Sequence, residues 1–109
     1  MNDDYEPLIP MPELTPDALR AAVARIAPSR LPAFTQHLFE ATTNAQRTQT
    51  LAPLRAFVNS WAVFVAIERH PQRAARLHEL ERIVDAGDQE PTEAIAEIRA
   101  IRAAAEAGL

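Results

Sequence analysis

The longest apolar run of the chain, Leu51 to Ile67 (LAPLRAFVNSWAVFVAI), carries a single charge, Arg55, in seventeen residues. Winding it as a helix at about 100° per residue from Trp61 sets Leu54, Val58 and Val65 on one side and Phe57 and Phe64 on the other. So wide an apolar arc exceeds the stripe of a surface helix, and the segment is expected to be a central helix covered on several sides. Ala52, Arg55, Asn59, Ala62 and Ala66 remain as a narrow wedge. That wedge is expected to face water or, because alanines allow close approach, another helix or chain.

The flanking pattern predicts four more helices and an arm. Residues 1–14 have no helical period, and Pro7, Pro10 and Pro12 bias their predecessors toward extended backbone. Tyr5, Leu8, Ile9 and Met11 make this arm greasier than a linker. It is expected to lie over a groove of its own bundle, with ordering on a partner or simple disorder as the alternatives. Thr15-Pro16-Asp17 reads as a cap and acidic first turn for a helix over about 16–27, with Leu19, Val23 and Ile26 on one face and Pro28 as the stop. Ser29 is expected to cap a second helix running to about Arg47, and Thr50 a third ending near Arg69 or His70. Pro71 opens a fourth over about 71–85, closed by Gly87 in left-handed conformation. A fifth covers about 92–107.

No run of alternating β-branched residues suggests a strand. The fold expected is therefore all-α: a compact five-helix bundle over residues 15–109 with an extended Pro-rich arm over 1–14. Its structural core is expected to hold Phe34, Leu38, Leu54, Phe57, Val58, Trp61, Phe64, Val65, Leu77 and Leu80.

Composition narrows the function more than the fold. With 109 residues the chain is one domain, and with no cysteine it has neither disulfides nor thiolate chemistry. No secretory leader or membrane span is readable, so a cytoplasmic location is expected. The net charge is −4, and Asp3, Asp4, Glu6 and Glu13 supply all of it; from Thr15 onward eleven acids balance eleven arginines. A neutral body with an acidic tail argues against non-specific nucleic-acid binding. The fourth helix, with Arg69, Arg73, Arg76, His78 and Arg82, is the best recognition-helix candidate, but Glu79, Glu81 and Asp85 dilute it.

Residues for chemistry are sparse. His37, His70 and His78 form no metal-binding spacing and are expected to be solvated or capping. Ser29 and Ser60 are the only serines, and two glycines cannot build a phosphate loop. Glu68, inside the apolar arc, is expected to turn outward and pair with Arg73 or Arg76. No catalytic residue, cofactor or metal site is expected, and the protein is read as non-enzymatic.

Two segments carry a resemblance: LIPMPELTPDALRAAVARIAPSRLPAF and APLRAFVNSWAVFVAIERHPQRAARLHELE. On Pro16, Leu19, Arg20, Ala22, Ala27, Pro28, Leu31 and Phe34, then Pro53, Leu54, Arg55, Phe57, Val58, Trp61, Ile67, Arg69 and Pro71, the chain resembles a family of short, uncharacterised helical proteins from GC-rich bacteria. Such proteins look like antitoxin-side partners of small RelE/ParE-type toxins. The resemblance implies a protein-binding module that neutralises a small basic toxin directly, without membrane or independent nucleic-acid binding. Tyr5, Leu8, Ile9, Met11, Arg55 and Asn59 are the expected partner-binding residues. The alternative is a structural or regulatory homo-oligomer assembled through the alanine wedge.

Overall fold

Prolines set the helix starts, because a missing N–H costs nothing in a first turn and the fixed φ is already helical. They occupy the first turn of α1 (Pro16–Ile26), α2 (Leu31–Thr48), α3 (Ala52–Glu68) and α4 (Pro71–Ala86), and Pro91 immediately precedes α5 (Thr92–Ala107). The computed structural model describes residues 6–87 and 90–109. Thr15 caps α1 as expected, its Oγ1 accepting from the Ala18 N–H at 3.2 Å. Ser29 does not cap α2. Pro28–Arg30 forms a single 3-10 turn that runs straight into α2, so the chain enters already wound and no side chain caps it. Thr50 is not the cap of α3 either: Leu51 takes that position, with no side-chain cap bond, and Thr50 Oγ1, one residue further out, accepts from the Ala52 N–H at 2.8 Å. Gly87 ends α4 with φ +68°, and Gln49 ends α2 at φ +58°, a left-handed position without a glycine.

α3 packs against each of the other four helices. Among the described residues, the backbones of α1 and α2 do not come within packing distance of α4 or α5, so α3 is the wall both halves share. One core lies on its α1–α2 side and gathers Leu19, Val23, Phe34, Phe57, Trp61 and Val65. The other lies on its α4–α5 side and gathers Ile67, Ala74, Leu77 and Ala105, with Ile98 and Ile101 packed against it. Of the expected core, Phe34, Phe57, Trp61, Val65, Leu77 and Leu80 are buried, while Leu38, Leu54, Val58 and Phe64 are half-buried at its edge. The alanine wedge divides. Ala52, Arg55 and Asn59 are exposed, but Ala62 and Ala66 are buried inside the chain's own cores, because their small side chains let neighbouring helices approach. No helix among the described residues is long and apolar enough to cross a membrane.

Trp61 anchors the larger core. Its ring meets Phe34 and Phe64 edge-on at centroid distances of 5.0 and 5.1 Å, and Phe34 meets Phe57 the same way at 5.0 Å. Its indole N–H donates to His37 Nδ1 at 2.9 Å, which satisfies the one polar atom the ring brings inside. Outside the cores, α4 and α5 are clamped by Arg76, whose Nε and Nη2 grip both oxygens of Glu97 at 2.8 Å while Nη1 holds Glu79 at 2.9 Å. That fork of hydrogen bonds holds the Glu97 carboxyl below the ordinary carboxylate range and raises the Arg76 guanidinium further.

Trp61→Ala should cost about 3–5 kcal/mol, a large share of a small domain's stability, and Trp61→Phe distinctly less because it keeps the ring contacts. Denaturant melts of the two variants check the order. Glu97 adds a pH dependence. A carboxyl depressed in the folded state binds protons more readily unfolded, so its contribution is complete above the ordinary carboxylate range and fades as pH falls through the lower folded value. The melting-temperature difference between wild type and Glu97→Gln should therefore be small, as for any exposed pair, and shrink toward zero on acidification.

Candidate functional site

The extended arm finds its groove on its own chain. The Leu8 N–H donates to the Arg69 carbonyl at 2.7 Å, and Arg69 Nη1 donates back to the Ile9 carbonyl at 3.1 Å. The first bond satisfies a carbonyl left over at the end of α3, where no following helical turn can. Ile9 is thereby pressed into the larger core at 8% exposure, and Met11 packs against both cores, bridging them. Arg69 is partly buried in the process, and its Nε finds no acceptor among the described residues.

The six residues expected to contact a partner are consequently not one surface. Ile9 and Met11 are consumed by the fold, because rigid prolines hold them over an apolar groove that would otherwise stay wet. Leu8 remains 56% exposed. Arg55 and Asn59 are exposed on α3, where Asn59 Nδ2 donates to Glu106 Oε2 of α5 at 2.8 Å. Tyr5 lies outside the described residues, as do Asp3 and Asp4.

A half-open cleft of about 390 Å³ runs over α3 between the two halves of the molecule. Trp61, Val63, Phe64 and Ile67 line it from α3, Arg30 and His37 from the α2 side, and Leu77, His78 and Glu81 from α4. The Arg30 guanidinium lies over the faces of Phe64 and Trp61, 5.3 and 5.8 Å from the ring centroids. The expected Glu68 ion pair with Arg73 or Arg76 does not form. Glu68 Oε2 meets His78 Nε2 at 2.8 Å instead, because α4 folds back beside α3 and brings His78 opposite, while Arg76 points to α5. A carboxylate can only accept, so His78 keeps its Nε2 proton and Nδ1 is its remaining nitrogen. His37 is half-buried rather than solvated, with Nδ1 bare to receive Trp61. Its place in the sequence carried that signal: it stands three residues after Phe34, on the apolar face of α2. Ser60 is exposed on the cleft wall.

Part of the cationic face of α4 is committed to neighbouring acids. Arg76 holds two carboxylates and His78 a third. Among the described residues no three metal-ligating side chains converge. The outer face of α2 presents the opposite character. From Leu31 to Leu54 only Glu40 and Arg47 are formally charged, and Phe39 and Leu51 are 68% and 59% exposed. Thr42 and Thr48 donate their hydroxyls to the α2 carbonyls of Phe39 and Asn44, both at 2.8 Å, and so add few free donors to that surface.

Residues 9–106 match the family described as "Family of unknown function (DUF6247)", and the chain belongs to it. The matched span begins inside the arm, at the residue that enters the core. No curated protein and no solved structure matches the chain.

Ile9→Ala should lower stability by about 2–5 kcal/mol, since it empties a buried site that the surrounding helices cannot collapse to fill. Leu8→Ala, one residue away and exposed, should stay within about 0.5 kcal/mol. Thermal melts of the pair test whether the arm belongs to the folded core.

Proposed function

We propose that this member of the DUF6247 family is a non-enzymatic protein-binding module, and that the outer face of α2 is its contact surface. The observation that carries this reading is the exposed Phe39 on the charge-poor stretch from Leu31 to Leu54. Interface centres are depleted of charge and enriched in aromatic anchors, whereas a solvent face of this chain otherwise carries the Arg–Glu pairs seen on α4 and α5. The specific version is antitoxin-like: direct capture of a small basic RelE/ParE-type toxin, with the acids of the first fourteen residues speeding encounter and Phe39 slowing release. Support for that partner is the resemblance of the two proline-bounded segments. Support for the surface is physical.

A homo-oligomer is the second reading, and the same exposed aromatic favours it. It would use the α2 face, since the alanines that could have carried it, Ala62 and Ala66, are already covered. The two readings separate in one experiment. Co-expression with the basic product of an adjacent reading frame should relieve that product's growth arrest and yield a complex. Phe39→Asp should weaken it by about 2 kcal/mol or more, roughly thirtyfold in Kd, with the melt unchanged. Concentration-dependent mass of the protein alone, abolished by Phe39→Asp, would favour the oligomer. A complex indifferent to Phe39→Asp would remove α2 from the interface.

A further inference from the structure

We infer that the cleft over Trp61 and Phe64 binds a small monoanionic carboxylate with a flat apolar body, gripped by Arg30. Its volume, about 390 Å³, falls among the ~300–1,000 Å³ of small-ligand sites. The valley is built into the topology: Arg30 and His37 reach it from one half, Leu77 and His78 from the other, and α3 forms its floor. That floor is aromatic and aliphatic, with Phe64 half-buried and Trp61 edge-on to it.

Charge selects the ligand. The other ionised walls are already answered: Glu68 by His78, and Glu81 by Arg102 at 3.0 Å. Arg30 makes no ion pair with any described residue and rests on the two ring faces, which attract its charge but offer no oxygen for its five N–H donors. A carboxylate matches that planar fork in geometry and sign. A cation would be repelled by Arg30 and would find the acids already committed. A phosphate dianion would find one guanidinium outside the ion pairs, without a glycine loop or a second such arginine among the lining residues. The apolar floor requires the monoanion to carry a body that displaces water from Val63, Phe64 and Leu77. This site is distinct from the α2 face and stands whether or not a protein docks there.

The chain has a single tryptophan, so its indole N–H gives one resonance in a 1H–15N correlation spectrum, reporting from the floor of the cleft. Titration with 3-phenylpropionate should shift that resonance saturably at millimolar concentration. 3-Phenylpropionamide has the body without the charge and propionate the charge without the body; each should bind about tenfold more weakly or worse. Inorganic phosphate should not compete. Arg30→Gln should bring phenylpropionate down to the level of the amide while the rest of the spectrum is kept, and Arg30→Lys should retain a preference for the charged probe. Equal binding of carboxylate and amide by the wild type would overturn the inference, as would undiminished binding by a folded Arg30→Gln or the absence of any saturable shift. Should Arg30→Gln fail to fold, the three-probe comparison on the wild type decides alone.

Discussion

A helix that is apolar nearly all round must be covered nearly all round, and α3 imposes that demand on every other element. Four helices and an extended arm meet it, α1 and α2 on one side, α4 and α5 on the other, with Ile9 and Met11 closing the groove between. Among the described residues the backbones of the two helix pairs do not come within packing distance of each other, so α3 and the arm, whose Met11 touches both cores, span the middle. The cleft exists for the same reason. Where two half-bundles lean on a shared wall without meeting, a valley is left above it, and here its floor is the aromatic cluster of the larger core.

Polar groups enter this interior only on terms set by geometry. Trp61 brings an N–H and finds His37, a side chain placed on the apolar face of α2 for that contact. Arg69 brings a guanidinium and finds the Ile9 carbonyl, while its own carbonyl takes the Leu8 N–H. The second exchange ties an arm with no secondary structure of its own to the end of the central helix. It leaves Arg69 Nε without an acceptor among the described residues, a small debt set against a buried isoleucine. Elsewhere opposite charges stay outside and pair across helices, as Arg76 does with Glu97 and Arg102 with Glu81.

The chain announces its helices clearly because proline and glycine mark their limits. The fifth helix, expected over about 92–107, is Thr92–Ala107, and Gly87 is left-handed as its position after Asp85 suggests. The cap at Ser29 failed where two prolines four residues apart made a 3-10 turn instead of a clean start. Side-chain partners between helices were harder to read. A helical wheel shows that Ala62 and Ala66 are small but not what approaches them, and it cannot tell that α4 turns back far enough to set His78, rather than Arg73 or Arg76, against Glu68. The cleft has residues from four helices and the 3-10 turn, Arg102 of α5 among them, so no local spacing marks it. The helical period of α2 does put Phe34 on the apolar stripe and leave Phe39 off it, as the structure has them, but it does not say that the surface around Phe39 is bare.

The bond between the arm and Arg69 joins residues about sixty positions apart, and the arm is synthesised before its docking site. At about 5–20 residues per second, the carbonyl and guanidinium it will dock on follow roughly 3–12 s later. For that interval Leu8, Ile9 and Met11 lack the groove that receives them in the folded chain, and the prolines between them disfavour helix. Docking of the arm is therefore a long-range contact that can close only after the end of α3 has been made.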